Sequence, residues 1–293
     1  MNEIKNVMVV GSTGFTGTQV LKQLENIETI MVTCLVRSQN KIPSWQGKNK
    51  LNIAVGDLDN PTSLDAAFKG QDTLIFVASM GFGHMPNVVK SCLDNQVKRA
   101  IFTSSTAIFT RLPAQSKDGR QMGEKCITAS KLSWTILRPT MIYGRIGDRN
   151  VERLIRNLKY FPMFFIPGSG EALQQPIFVD DVAKAIIQAL KTEKTICKAY
   201  NISGKDPLTF NEFIKTTAHA LNRSIRVIHL PLFPMQLLVK FYNLFTKKPR
   251  ITEEQILRLN ENKSFDHKDA SRDFGFDPTS FSHGLKNLVK ELS

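Results

Sequence analysis

Gly11, Gly14 and Gly17 stand at three-residue intervals in the segment Gly-Ser-Thr-Gly-Phe-Thr-Gly. That spacing suits a turn around a pyrophosphate. Gly11 lets the chain leave a strand sharply, Gly14 lets the backbone approach the phosphates, and Gly17 lets helix and strand pack closely. A helix opening at this point offers free N–H groups and the positive end of its dipole to an anion. Ser12, Thr13, Phe15 and Thr16 complete the turn. Arg37 lies twenty residues beyond Gly17, at the end of the apolar run Cys-Leu-Val. A carboxylate there would bind the ribose 2′-hydroxyl of NAD, whereas a guanidinium fits a 2′-phosphate, with Ser38 adding a hydroxyl. NADP(H) is therefore expected in preference to NAD. Asp57 and Leu58 follow a third apolar run and suit the adenine edge; Asp57 could equally cap a helix starting near Pro61.

The elements that must hold these residues follow from periodicity. Short apolar runs predict strands at 7–10, 30–36, 51–55, 73–78, 99–103 and 134–137, with a late strand at 199–202. Between them, mixed-polarity segments predict helices at 16–26, 61–69, 86–96 and 119–131. Strand–helix alternation with near-continuous apolar strands means a parallel sheet covered on both faces. Right-handed crossovers make it doubly wound. The fold class expected is α/β, a Rossmann-type doubly wound parallel sheet with a smaller C-terminal substrate lobe. Residues 1–145 form the NAD(P)-binding domain, and 146–293 the substrate lobe, interleaved with late strands and helices of the core. Helices are expected at 180–190 and 209–221, with Asp180 as the N-cap of the former.

The chain has 293 residues, 42% hydrophobic and 22% charged, which is globular composition. Its formal charge of +13 favours anionic ligands. Cys34, Cys92, Cys126 and Cys197 form no C-x-x-C pair, so reduced thiols in a cytoplasmic protein are expected and no metal site. The first residues lack the pattern of a signal peptide. No run of about 18 apolar residues spans a bilayer. Residues 233–250 are apolar with a basic end, suited either to packing on the second lobe or to weak contact with an anionic membrane surface. Residues 250–265 show helical periodicity with a solvated charged face. No nucleic-acid motif is found. The expected partner is a small-molecule substrate in the cleft between lobes, the chain being a monomer or homodimer.

With these motifs in hand, the sequence resembles the short-chain dehydrogenase/reductase superfamily in its extended or atypical branch. That branch includes nucleotide-sugar epimerases and dehydratases and an accessory subunit of respiratory complex I. The resemblance covers most of the chain. It rests on GSTGFTG, GDLDNPTSLDAAFKGQDTLIFVA, IFTSSTAIF, LRPTMIYG and QPIFVDDVAKAI. It implies that Ala78, Ser104 and Pro139, at later strand ends, also line the cofactor. It places Ser105 as the serine that hydrogen-bonds the reacting oxygen, and Phe274 and Phe276 as anchors for the end of the chain.

The same resemblance implies a Tyr and a Lys spaced Y-x-x-x-K, the phenol exchanging a proton while the Lys lowers its pKa and holds the nicotinamide ribose. Here the pattern departs. Aligning on Glu124 puts Ser116 at the Tyr position and Arg120 at the Lys position. None of Tyr143, Tyr160, Tyr200 and Tyr242 has a Lys four residues on. Arg120 can still hold ribose hydroxyls, but a charged guanidinium is a poor proton donor. Tyr143, His84 and Lys117 are the candidate substitutes. The expected activity is that of an NADP-dependent oxidoreductase or epimerase acting on a carbonyl or a sugar nucleotide. The alternative is a non-catalytic NADPH-binding scaffold or redox sensor.

Overall fold

The computed structural model describes residues 4–38, 43–48, 51–112, 115–246 and 253–292. In chain order the first strands are β1 (Asn6–Val10), β2 (Met31–Val36), β3 (Leu51–Val55), β4 (Thr73–Phe76), β5 (Arg99–Thr103) and β6 (Trp134–Pro139). Shorter strands follow: β7 (Ile142–Tyr143), β8 (Met163–Pro167), β9 (Leu173–Gln174) and β10 (Ile177–Phe178). The last are β11 (Lys198–Ile202), β12 (Leu208–Thr209) and β13 (Arg226–Leu230). The helices are α1 (Phe15–Leu24), α2 (Pro61–Phe68), α3 (Met85–Asp94), α4 (Gln115–Thr128), α5 (Val151–Tyr160) and α6 (Val179–Lys191). They continue with α7 (Phe210–Ala220), α8 (Leu232–Phe245), α9 (Glu253–Leu259), α10 (Lys268–Phe274) and α11 (Phe281–Glu291).

Seven strands form one parallel sheet in the order β11-β6-β5-β4-β1-β2-β3. This is the doubly wound Rossmann topology, with the order reversing beside β1. Both faces are covered, which is why β4 and β5 are buried at every position. On one face Val20, Leu21 and Leu24 of α1 share a core with Val182, Ala183 and Ile186 of α6. On the other, Leu64, Val88 and Ile127 bring α2, α3 and α4 onto Met8, Leu74 and Phe102. A separate core joins Leu154 and Leu158 of α5, Phe213 and Ile214 of α7, and Leu285 and Leu288 of α11. Residues 146–293 thus divide: α6 and β11 return to the sheet, while α5, α7 and α11 make the second lobe.

Several local expectations change. The helix expected from Gly119 begins at Gln115. Gly119 lies inside α4, where a β-carbon would stand 2.5 Å from Gly81 O; it marks a close crossing rather than a start. Asp180 does not cap α6, whose N-cap is Phe178 with no side-chain bond. Its carboxylate meets Arg145 at 2.5 Å instead, and the buried Asp181 accepts from the Thr279 amide at 2.7 Å. Of the described residues of the segment 250–265, Glu253–Leu259 alone are helical. Residues 247–250, the basic end of the 233–250 stretch, lie outside the described residues. Phe274 and Phe276 are buried in the sheet core, Phe274 lying edge-on to Tyr200 at 5.3 Å. No helix among the described residues is long and apolar enough to cross a membrane.

Candidate functional site

Parallel pairing puts the C-terminal ends of β1, β4, β5 and β6 along one edge. Val10 pairs with Phe76, Phe76 with Phe102 and Phe102 with Ile136. Gly11, Ala78, Ser104 and Pro139 therefore follow strands that end at nearly one level. The glycine turn shows why larger residues are excluded. Gly11 has φ +89°, and a β-carbon on it would stand 2.7 Å from Ala78 N. A β-carbon on Gly17 would stand 2.0 Å from Gly11 O. Gly14 is the N-cap of α1 and has no side chain to close the first turn. The helix thus presents its N-terminal amides and dipole to an anion, as dinucleotide pyrophosphates require.

Arg37 follows β2 directly and is exposed at the same edge. Ser38 beside it is exposed as well. Asp57 is exposed, and its carboxylate accepts from the Asp59 amide at 3.0 Å. It does not cap α2; Asn60 does, accepting from the Ser63 amide at 3.2 Å. Asp57 and Leu58 remain at the end of β3, next to the turn that leads into α2.

The chemistry-bearing residues are more dispersed. Ser104 is buried, and its Oγ has no hydrogen-bond partner among the described residues. Ser105 Oγ accepts from the Ala107 amide at 3.2 Å and so caps the turn at 106–109. That turn is tied to α4 by Gln121 Nε2, which donates to Ile108 O at 3.0 Å. Lys117 Nζ donates to Thr110 O at 2.7 Å, so it braces the same loop. Glu124 and Arg138 form a bidentate pair at 2.5–3.1 Å that joins α4 to β6. Arg138 is thereby committed to a buried carboxylate. His84 is held by Asp59 at 2.8 Å, where it precedes α3.

Tyr143 is corrected by its burial. It is fully enclosed in the second-lobe core, its hydroxyl donating to Phe281 O at 3.2 Å. Phe178 and Phe281 pack on its ring at 5.8 and 5.1 Å. Burial pushes the phenol far above its ordinary value, and Asp181 and Asp148 add to the shift. Such a group neither reaches substrate nor exchanges a proton near neutral pH.

Arg120 donates to Ser116 O at 3.0 Å, one turn back along α4. Burial lowers its pKa from the ordinary value, and Arg258 of α9 lowers it further. Lys263 is pushed down to about 8, by burial first and by Arg258 second. Glu261 offsets part of this charge, and it accepts from Thr110 Oγ1 at 2.6 Å and the Arg111 amide at 2.8 Å. The stretch expected to be a solvated face thus folds against the loop before α4, where Glu261 holds Thr110 and Arg111, and Arg258 acts on both Arg120 and Lys263. Sequence reading missed Arg258 and Lys263, because 151 residues separate Thr110 from Glu261 and no motif links them. Beside the glycine turn, a cavity of about 520 Å³ is lined by Thr13, Gly14 and Phe15 on one side and Arg145, Asp148 and Arg149 on the other. Asp148 is buried, its Oδ2 without a partner among the described residues, and burial raises its pKa.

A profile of NAD(P)H-binding proteins matches residues 11–193. The chain is 24% identical to N-acetyl-alpha-D-glucosaminyl-diphospho-ditrans,octacis-undecaprenol 4-epimerase of Escherichia coli O157:H7, across 97% of this chain and 94% of that protein. Among solved structures, UDP-N-acetylglucosamine 4-epimerase from Methanobrevibacter ruminantium, in complex with UDP-N-acetylmuramic acid, superposes with TM-score 0.74 at 19% identity, over 99% and 98% of the chains. UDP-glucose 4-epimerase of Thermus thermophilus, in complex with NAD, also gives 0.74, at 17% identity over 98% of each chain. The likeness to these structures establishes the shared fold.

Proposed function

Because the chain belongs to the NAD(P)H-binding, epimerase- and dehydratase-like branch of the short-chain dehydrogenase/reductases, we propose that it binds NADP(H) and acts on a carbonyl or a diphosphate-linked sugar as an oxidoreductase or epimerase. The observation that carries this reading is the glycine turn, where a β-carbon at Gly17 would lie 2.0 Å from Gly11 O. A backbone folded that tightly leaves room for a pyrophosphate against the start of α1. Arg37 pairs with the 2′-phosphate, and Ser38 adds a hydroxyl. Asp57 and Leu58 face the adenine edge. Ala78, Ser104 and Pro139 line the floor, and Arg120 holds ribose hydroxyls. When bound, the nicotinamide supplies or accepts a hydride. Ser105 accepts from the Ala107 amide and keeps its own proton to donate to the reacting substrate oxygen.

The test begins with calorimetric titration of NADPH and NADH. Arg37→Ala is expected to weaken NADPH by about tenfold to a hundredfold, the worth of a charge-assisted pair, and to leave NADH unchanged. Equal losses for both dinucleotides would remove the NADP assignment. A second reading, a cofactor-binding sensor without turnover, draws on Ser116 and Arg120 standing where a phenol and an amine are expected. It is separated from the first by NADPH consumption and epimerisation across a panel of carbonyl compounds and sugar nucleotides. Turnover on any of them removes it.

A further inference from the structure

Helix α8 carries an apolar stripe that the fold leaves uncovered. Phe233, Leu237, Phe241 and Phe245 are 76%, 60%, 62% and 76% exposed. They recur every four residues, so they share one face of the helix over about 18 Å. The opposite side is already used: Val239 is buried, as is Ile256 of α9, the helix against which α8 packs. No acidic residue lies anywhere in α8, and Lys240 is exposed on it. The sequence that follows, Lys247-Lys248-Pro249-Arg250, adds three cations. At the end of α5 and in β8, Tyr160, Phe161 and Phe165 are also exposed.

We propose that α8 docks this protein on the surface of an anionic lipid bilayer, its aromatic stripe lying in the interface. A helix with large apolar side chains on one face and cations beside them lies in the headgroup plane. Charge selects the occupant. The chain carries +13, so a second copy would meet like charge, whereas anionic headgroups attract it. The other side of α8 rests on α9, whose Arg258 stands near Arg120. This docking goes beyond the cofactor reading and does not depend on it.

The experiment is co-sedimentation of the full chain with vesicles of phosphatidylcholine alone or mixed with phosphatidylglycerol, at low and high salt. The protein is expected to bind the anionic vesicles, to release with added salt, and to ignore the neutral ones. The double substitution Phe241→Ser with Phe245→Ser is expected to weaken binding by at least about tenfold, since two large apolar side chains no longer leave water. Its melting temperature and NADPH titration stay at wild-type values, because both side chains are exposed. Phe241→Trp retains binding, and its fluorescence shifts to the blue with anionic vesicles only. Wild-type protein that ignores anionic vesicles at low salt, or a double variant that binds as well as wild type, overturns the proposal. So does a dimer, seen by sedimentation velocity, that the double variant dissolves. A chain that binds NADPH but no vesicle overturns docking alone; one that binds vesicles but no dinucleotide upholds docking while the proposed function falls.

Discussion

The glycine turn and the front of α4 stand at the same edge of one sheet and are built in opposite ways. In the turn the backbone itself forms the surface: Gly11 abuts Ala78, Gly17 abuts Gly11, and no side chain closes the helix. At α4 the surface is made of side chains on an ordinary helix, and the residues expected to do chemistry have become Ser116 and Arg120. The difference teaches why a fold persists while its chemistry varies. A β-carbon in the turn collides with backbone that cannot move. An altered side chain on α4 leaves α4 where Gly119, Gly123 and the Glu124–Arg138 pair hold it.

The sharpest way to break this contrast is Gly17→Ala. The methyl would overlap Gly11 O, and the strain is expected to cost about 3 kcal/mol. NADPH binding measured by calorimetry would fall by more than about a hundredfold. If Gly17→Ala binds and melts like wild type, the turn is not the rigid element described. Next in size is Glu124→Gln, which strips the buried partner from Arg138 and is expected to cost about 2 kcal/mol in chemical denaturation. Smaller again is Tyr143→Phe, which removes one hydrogen bond to Phe281 O, for about 1 kcal/mol. Any turnover the protein shows should survive that change, since the phenol is enclosed; loss of activity at unchanged stability would return Tyr143 to the site.

The remaining effect is a slope with pH. Burial pushes the Lys263 ammonium down to about 8, with Arg258 as the second cause. In the unfolded chain a lysine holds its proton to about 10.4. Between those values the unfolded chain binds more protons, so stability rises with pH across that window and the gain is lost as pH falls through about 8. Lys263→Met is expected to flatten this rise in melts taken from pH 7 upward. An unchanged slope would mean that Lys263 is solvated and stands apart from Arg258.

Much of the sheet was legible because buried parallel strands must be apolar along their length. The runs 7–10, 73–78 and 99–103 hold strands in the fold, the second ending at Phe76. The turn was legible because only glycine allows its geometry, and that requirement is written in residue type. Asp180 was misread because a carboxylate at a helix start looks like a cap, whatever partner lies opposite; Arg145, 35 residues away, is that partner. Tyr143 looked chemical because a phenol is rare and reactive, and nothing local says that Phe178, Phe281 and Gly284 enclose it.

By itself the sequence determined the α/β order, the place where the chain turns on its three glycines, and the missing phenol–lysine pair. Each depends on residue type at short spacing, and strand periodicity and steric freedom act over a few residues. The tertiary structure alone decided which charges meet. It bound Arg138 to Glu124, joined Glu261 to Thr110 and Arg111, enclosed Tyr143 and left the stripe of α8 bare. Those outcomes depend on distance through space and on water excluded from the gaps, and a linear pattern holds neither.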